Sequence, residues 1–186
     1  MSIERVIKWV DFSFIFCIML NVMETIKCIQ TRRSKRRLFY GEVKKDIIET
    51  IIDCGRLSPS AINIQPCEFV VITDKIKLKR ISDIVAKNGP FIKDAAFCVI
   101  VISKEVKYYL EDGCAATENI LLAVHDFGLS SCWVAGDKKD YAEDVIKEIG
   151  VPEGYKIVSI IPVGYSEEKS NIQKRKLSEV IHWERF

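Results

Sequence analysis

The sequence has little of what a metal centre, a disulfide scaffold or a Rossmann nucleotide site requires. Its 186 residues include two histidines, His125 and His182, and neither has a neighbour at metal-ligand spacing. The seven cysteines are an odd number without a Cys-x-x-Cys pair, so we expect free thiols in a reducing compartment and predict a cytoplasmic protein. The G-x-G-x-x-G fingerprint is missing as well.

Net charge and hydrophobicity are both unremarkable over the whole chain. With 28 basic and 26 acidic residues the net charge is +2, and 48% of the residues are hydrophobic. This composition excludes a disordered polyelectrolyte and gives no sign of a nucleic-acid or membrane partner. A chain of this length is expected to form one domain with a substantial core.

The first 22 residues differ from the rest of the chain. Residues 12–20 (FSFIFCIML) are almost wholly apolar, but flanking polar residues keep the run short of the roughly 20 that a spanning helix needs. No small-x-small cleavage site follows, as a signal peptide would require. An interfacial or partner-packing helix and an export or anchor signal remain alternatives. We favour an extension over residues 1–22, of unassigned role, ahead of a domain over residues 23–186.

Hydrophobic periodicity predicts helices that alternate with strands along this domain. Helices are expected over residues 24–30, 44–57, 75–87, 113–127 and 140–149. Strands are expected over residues 69–73, 95–103, 131–134 and 156–163. The run 95–103 is apolar throughout, which predicts a strand buried on both faces. The helix over 113–127 is apolar nearly all round, so it should be buried on most sides. The pattern indicates a layered α/β or α+β domain.

The first candidate functional segment is residues 32–37 (RRSKRR), called the basic loop below. Between residues 27 and 45 there are eight lysines and arginines and one acid. Guanidinium groups bind phosphate oxygens in bidentate fashion, and a serine hydroxyl adds a neutral donor. The basic loop therefore predicts an anion site, with a solvated basic turn as the alternative.

Two further segments carry groups suited to a ligand. Residues 58–66 (SPSAINIQP), called the polar turn below, place two hydroxyls and two amides in a turn that contains two prolines. Residues 128–136 (GLSSCWVAG) follow the buried helix and end a strand in Ala-Gly, which leaves backbone N–H groups exposed. Helix capping and plain core packing are the respective structural alternatives.

In this order and at these separations, the three segments resemble the nitroreductase family of FMN-dependent oxidoreductases. The resemblance runs from about Met23 to Phe186 and includes PVGY at residues 162–165 and EVIHW at residues 179–183. It implies an α+β fold in which helices flank a central mixed β-sheet in three α-β-α layers. It also implies a homodimer with FMN at the interface.

The resemblance implies roles for residues of the basic loop and the Ala-Gly strand. At the FMN phosphate, the resemblance places Arg32, Arg33 and Ser34. Arg36 would lie near the N1/O2 edge of the ring, where a cation stabilises the anion of the reduced flavin. Ala135 and Gly136 would present backbone donors near N5, the atom that receives hydride.

The remaining implied contacts come from the polar turn and the C-terminal tail. Four residues of the polar turn would reach the flavin of the other subunit: Pro59, Ser60, Asn63 and Gln65. Asn88 occupies the position of an amide that contacts the ring or the ribityl chain. Lys174 or Arg175 would close on the phosphate, and the register over residues 174–176 stays open.

The chemistry implied by the resemblance belongs to the cofactor, so no side chain is expected to be catalytic. Hydride would pass from NADH or NADPH to flavin N5 and then to an electron-poor acceptor, such as a nitroaromatic or a quinone, by a ping-pong mechanism. The sequence does not choose between the two nicotinamide cofactors or name the acceptor. The alternative is a flavin-binding sensor or FMN store without significant turnover.

Overall fold

The regular structure consists of five α-helices and five β-strands in residues 25–170 and 172–186, the part that the computed structural model describes. The helices are α1 (Thr25–Thr31), α2 (Lys45–Arg56), α3 (Lys75–Val85), α4 (Tyr109–Asp126) and α5 (Ala142–Ile149). The strands are β1 (Cys67–Ile72), β2 (Phe97–Lys104), β3 (Ser130–Ser131), β4 (Val134–Ala135) and β5 (Tyr155–Gly164). The extension predicted over residues 1–22 lies outside the described residues.

The strands form one sheet in the order β1-β2-β5-β3, and β4 also pairs with β5. Every described pairing is antiparallel, whereas the resemblance implies a mixed sheet. The difference arises because α3 and the turns after it return the chain to the end of the sheet where β1 finishes. Ile72 therefore pairs with Cys98, and β2 runs back along β1.

Helices cover both faces of the sheet, which produces the expected three layers. On one face α2 and α4 pack on the sheet, with Ile51 and Ile120 in the same core as Val99. On the other face α3 and α5 pack around Ile100. Neighbouring β2 residues point to opposite faces, and the strand is buried along all but its last residue. The prediction of a strand buried on both faces is therefore confirmed.

Helix α4 is the most enclosed helix predicted from the sequence. All of its residues except Glu111 are buried or partly buried, as its apolar composition indicates. It begins at Tyr109, four residues before the predicted start, since the polar first turn also packs on the domain. In the part of the chain that the structure describes, no helix has the length and hydrophobicity to cross a bilayer.

Candidate functional site

The backbone of the basic loop is anchored to the sheet. The Lys35 N–H donates to the Ser131 carbonyl of β3 at 2.9 Å. Just beyond the loop, Phe39 and Tyr165 exchange backbone hydrogen bonds of 2.9 and 3.1 Å at the end of β5. These contacts hold the loop beside the edge of the sheet formed by β3 and β5, so its backbone is not a freely solvated turn.

Glu168 makes a second set of contacts with the same loop. Its Oε2 atom accepts the backbone N–H groups of Arg36 at 2.8 Å and Arg37 at 3.0 Å. Lys35 Nζ donates to the Glu168 carbonyl oxygen. The backbone hydrogen bonds from Arg37 and Arg36 are the main reason that the pKa of Glu168 lies below its ordinary value.

The side chains of the basic loop are used unequally. Arg33 Nη1 donates to the carbonyls of Gln30 at 2.7 Å and Arg32 at 2.8 Å, so its guanidinium group ties down the end of α1. Arg32 Nε lies 3.4 Å from the Glu118 carboxylate of α4. The guanidinium of Arg36 is exposed and forms no ion pair with any acid in the described residues. The same holds for Arg37, so Arg36 and Arg37 are the loop arginines whose side chains are most available to a ligand.

The field of the basic loop acts on two buried or partly buried groups beside it. Burial raises the pKa of the Cys132 thiol, while Arg36 and a hydrogen bond with Ser34 oppose that rise. Burial lowers the pKa of His125, and the charge of Arg32 lowers it further. Both pKa shifts arise from the protein's own residues. Both indicate a positive potential around the loop that favours an anion.

Ala135 lies on the same side of β5 as the basic loop, the side that pairs with β3 and β4. Ser131 pairs with Val163, and Ala135 pairs with Ser159, four residues away along β5. At about 3.3 Å per residue, the two positions are about 13 Å apart along the strand. One edge of the sheet therefore carries a cationic loop at one end and the end of β4 at the other.

The two residues that end the Ala-Gly strand differ in what they offer a ligand. The Gly136 N–H donates to the Val158 carbonyl at 3.1 Å, which makes Ala135 and Ser159 a pair without mutual hydrogen bonds. The N–H of the exposed Ala135 therefore faces away from β5. The sheet thus already uses the N–H of Gly136, whereas that of Ala135 is directed away from it; the assignment of both residues to the flavin ring stays a prediction.

Gly136 instead permits a close approach of the chain to β5. A Cβ atom at this position would lie 2.7 Å from Ile157 Cγ1 and 3.1 Å from the Val158 carbonyl oxygen. Both separations are shorter than ordinary van der Waals contact. The neighbouring Ala135 carbonyl accepts a hydrogen bond from the Tyr141 phenol of the loop before α5. The end of β4 is thereby held in one position.

The polar turn is held by its own side chains and by α4. Ser60 Oγ accepts the Gln65 N–H at 2.9 Å, and Gln65 Nε2 donates to Asn63 Oδ1 at 3.2 Å. Asp112, buried in α4, accepts the Ala61 N–H at 3.0 Å. These bonds lock the amides and hydroxyl that the sequence singles out into a defined arrangement.

Backbone strain is concentrated in the polar turn. Ile62, Asn63 and Gln65 have φ values of 47°, 58° and 52°, in the left-handed region that ordinary residues seldom occupy. Such conformations persist where the surrounding structure enforces them, and they cluster at ligand sites. The strain is an observation that favours a functional turn over a mere helix cap.

The other implied contact residues are not brought to the basic loop by hydrogen bonds. Asn88 is exposed in a 3₁₀ turn (Ala86–Asn88) that follows α3. Arg175 Nη2 donates to the Glu179 carbonyl at 2.7 Å, a contact within the tail itself. Lys174 is also exposed, as is every described residue from 172 to 186. In the described residues, no hydrogen bond joins Asn88 to the loop, and no ion pair joins Lys174 or Arg175 to it.

Comparison with known proteins decides the family. A family model described as "Nitroreductase family" matches residues 29–112 and 87–165. The chain belongs to the nitroreductase family. A relative from Methanothermobacter thermautotrophicus, named "Putative NADH dehydrogenase/NAD(P)H nitroreductase", is 31% identical over 173 residues, or 90% of each protein. The resemblance stated from the sequence is therefore confirmed.

Solved structures show the same fold as this nitroreductase-family chain. An FMN-dependent nitroreductase from Clostridium difficile is 28% identical with a TM-score of 0.80, covering 87% of this chain and 99% of that one. NADPH:FMN oxidoreductase from Vibrio harveyi, complexed with NAD⁺, has a TM-score of 0.78 at 20% identity, covering 87% and 77%. The predicted α+β nitroreductase-like fold is confirmed.

Two residues of this nitroreductase-family site were not predicted from the sequence. Glu168 lies more than 130 positions from the loop that it binds, and nothing in its neighbourhood (YSEEKS) marks it. Asp112 is separated from Ala61 by 51 positions. It stands beside Glu111 in the polar first turn of α4, so no local pattern distinguishes it, although a buried acid needs a partner.

Proposed function

We propose that this chain is an FMN-dependent NAD(P)H oxidoreductase that reduces an electron-poor acceptor by a ping-pong mechanism. The observation that carries the proposal is the single sheet edge with the basic loop at one end and the outward N–H of Ala135 about 13 Å along β5. FMN has a phosphate at one end and a ring with hydrogen-bond acceptors at the other. The names of the similar proteins, which include an FMN-dependent nitroreductase, support the same conclusion.

The residues present fit such a cofactor at the phosphate end. The basic loop is cationic, and its backbone is fixed by Ser131 and Glu168. Arg32 and Ser34 would bind phosphate oxygens, with Arg33 beside them holding the end of α1. A preformed cationic loop lowers the entropic cost of binding a dianion.

The residues present also fit the ring of FMN, with one hydrogen-bond donor and one cation. Ala135 would donate its free N–H to the ring edge that carries N5, and Arg36 would place positive charge near the N1/O2 edge. FMN, when bound, supplies the capacity to accept hydride and pass it on. The protein's part is to hold the ring, to stabilise negative charge on it and to leave one ring face open for nicotinamide and acceptor.

We further propose that the functional unit is a homodimer in which the tail of one copy binds the other. Strand β1 is at an edge of the described sheet, and beside it lies a groove of about 890 Å³ whose apolar lining includes Ile48, Ile52 and Phe69. The tail, residues 172–186, is exposed throughout and carries large apolar side chains. An open strand edge and an exposed apolar segment favour mutual burial. The polar turn would then contribute Pro59, Ser60, Asn63 and Gln65 to the partner's flavin.

The visible spectrum of the purified chain tests the cofactor. We expect oxidised-flavin absorption bands, FMN released on denaturation, and oxidation of NADH or NADPH that recycles when an acceptor is added. A colourless protein that binds no added FMN would refute the proposal. A flavin that bleaches and does not recycle with quinones or nitroaromatics would support the sensor or store instead.

Arg32→Ala tests the assignment of the phosphate. Loss of one charge-assisted hydrogen bond costs about 1.5–3 kcal/mol, so the FMN dissociation constant should rise by about ten- to a hundred-fold. Riboflavin lacks the phosphate and should bind both proteins alike. Arg37→Ala is the matched control, because it removes a charge from the same loop at an exposed side chain with no assigned contact. Equal losses for FMN and riboflavin would contradict the assignment.

A further inference from the structure

Glu168 connects the segment after β5 to the basic loop through several contacts. Its carboxylate accepts two loop N–H groups, from Arg36 and Arg37, and its carbonyl accepts Lys35 Nζ. Ser166 Oγ donates to the Arg37 carbonyl at 2.7 Å and accepts the Glu168 N–H at 3.1 Å. The segment and the loop thus bind each other in both directions, and most of the contacts are to loop backbone.

Charge alone gives Glu168 the wrong sign for an anion site. A carboxylate beside a phosphate pocket repels the phosphate, so a residue selected only for potential would be neutral or basic here. What the carboxylate does instead is satisfy two adjacent backbone donors that no helix or strand ladder uses. The Arg36 side chain can remain open to a ligand because the backbone, rather than the guanidinium group, is what holds this residue in place.

We propose that Glu168 is a positioning residue that orders the basic loop before the flavin phosphate arrives. The inference rests on the proposed function, because it assigns the loop to FMN. Glu168 touches neither phosphate nor ring. It acts through Arg36 and Arg37, whose backbone it fixes, and the gain in FMN binding comes from preorganisation, which outweighs the repulsion.

Two substitutions of Glu168 separate positioning from charge. Glu168→Gln removes the charge and keeps an acceptor oxygen for both N–H groups, whereas Glu168→Ala removes charge and acceptor together. We expect Glu168→Ala to weaken FMN binding by about ten-fold or more and Glu168→Gln to bind FMN at least as well as the wild type. Riboflavin affinity should change less than FMN affinity in both variants, because riboflavin shares the ring contact of Arg36 but lacks the phosphate. Glu167→Ala, at the exposed neighbouring acid, is the control.

Three outcomes would overturn the inference. If both variants tighten FMN binding equally, Glu168 acts only through its charge. If Glu168→Ala weakens FMN and riboflavin alike, its role is general stability. If it changes neither affinity, the contacts are without consequence for the ligand.

Amide hydrogen exchange at Arg36 and Arg37 in the flavin-free full-length chain supplies a readout that needs no cofactor. Protection in the wild type and Glu168→Gln, and its loss in Glu168→Ala, is the expected result. Equal protection in all three proteins would refute the positioning role whatever the ligand. A third result is possible, in which Glu168→Ala loses protection but the wild type binds no FMN. That result would support the role of Glu168 in ordering the loop and would refute the assignment of the loop to FMN, so the two proposals can fail separately.

Discussion

Trp183→Ala should weaken the proposed homodimer by a large factor. Trp183 is 75% exposed in the single chain, although tryptophan is among the residues with most to gain from burial. It lies in the tail, which ends at the fully exposed Phe186. If the tail binds the groove between α2 and β1 of a second copy, the indole ring is one of its principal apolar contacts.

The size of the effect follows from the area that remains to be buried. A tryptophan side chain buries about 150–250 Å² in all, and three quarters of that range at about 25 cal/mol per Å² corresponds to about 3–5 kcal/mol. Imperfect burial and retention of the β-carbon reduce the loss to about 1.5–3 kcal/mol per copy. A dimer contains two copies of Trp183, so its dissociation constant should rise by about 10²- to 10⁴-fold.

Sedimentation velocity over a dilution series measures this constant directly. Trp183→Phe should retain most of the affinity, because the ring remains apolar and large. Ile76→Ala is the matched control, since Ile76 is 66% exposed on α3, which packs on the sheet face opposite α2. A wild-type chain that stays monomeric at micromolar concentration would refute the reasoning. So would a Trp183→Ala variant that dimerises as tightly as the Ile76→Ala control.

Two further predictions concern the sheet edge. Gly136→Ala places a Cβ 2.7 Å from Ile157 Cγ1, so β4 should shift and the free energy of unfolding should fall by about 1–3 kcal/mol. Urea denaturation measures this change, and an unchanged midpoint would show that β4 accommodates the methyl group without cost. The pKa of Glu168 is lowered by backbone hydrogen bonds, so its stabilisation is complete above the ordinary glutamate pKa and is lost as the pH falls through the lower folded value. The stability advantage of the wild type over Glu168→Gln should therefore shrink on acidification below about pH 4.3, and an advantage that grows would contradict the assignment.

The fold was largely predictable because its signals are periodic. Each predicted helix and strand after residue 24 has a counterpart, since buried faces repeat every 3.6 or 2 residues. The expected strand over residues 131–134 is divided into β3 and β4, which pair with different parts of β5. That division depends on the edge of β5 against which the segment lies, a long-range property that no local pattern carries.

The residue types of the candidate site could be predicted from the sequence, but the contacts that hold them in place could not. The cations of the basic loop are visible in the sequence, whereas the residues that fix the loop are a carbonyl of β3 and the carboxylate of Glu168. Backbone groups have no sequence signature. Only the strand register shows that the Gly136 N–H donates to β5 and that the Ala135 N–H faces away from it. The same reason explains why Asp112 went unrecognised as the partner of Ala61.

Within residues 25–170 and 172–186, a single copy leaves two features of the fold uncompensated, and they are complementary. Strand β1 offers an open edge beside an apolar groove, while residues 172–186 offer exposed apolar side chains and no contact with a core. Exposed edges and apolar segments are costly in a monomer, so their coexistence in one chain favours an exchange between two copies over two unrelated defects. The exchange also has a consequence for the site. The tail begins a few residues after Glu168, so the segment that would bind the partner continues directly from the segment that fixes the basic loop, and the two proposed interactions are connected along the chain.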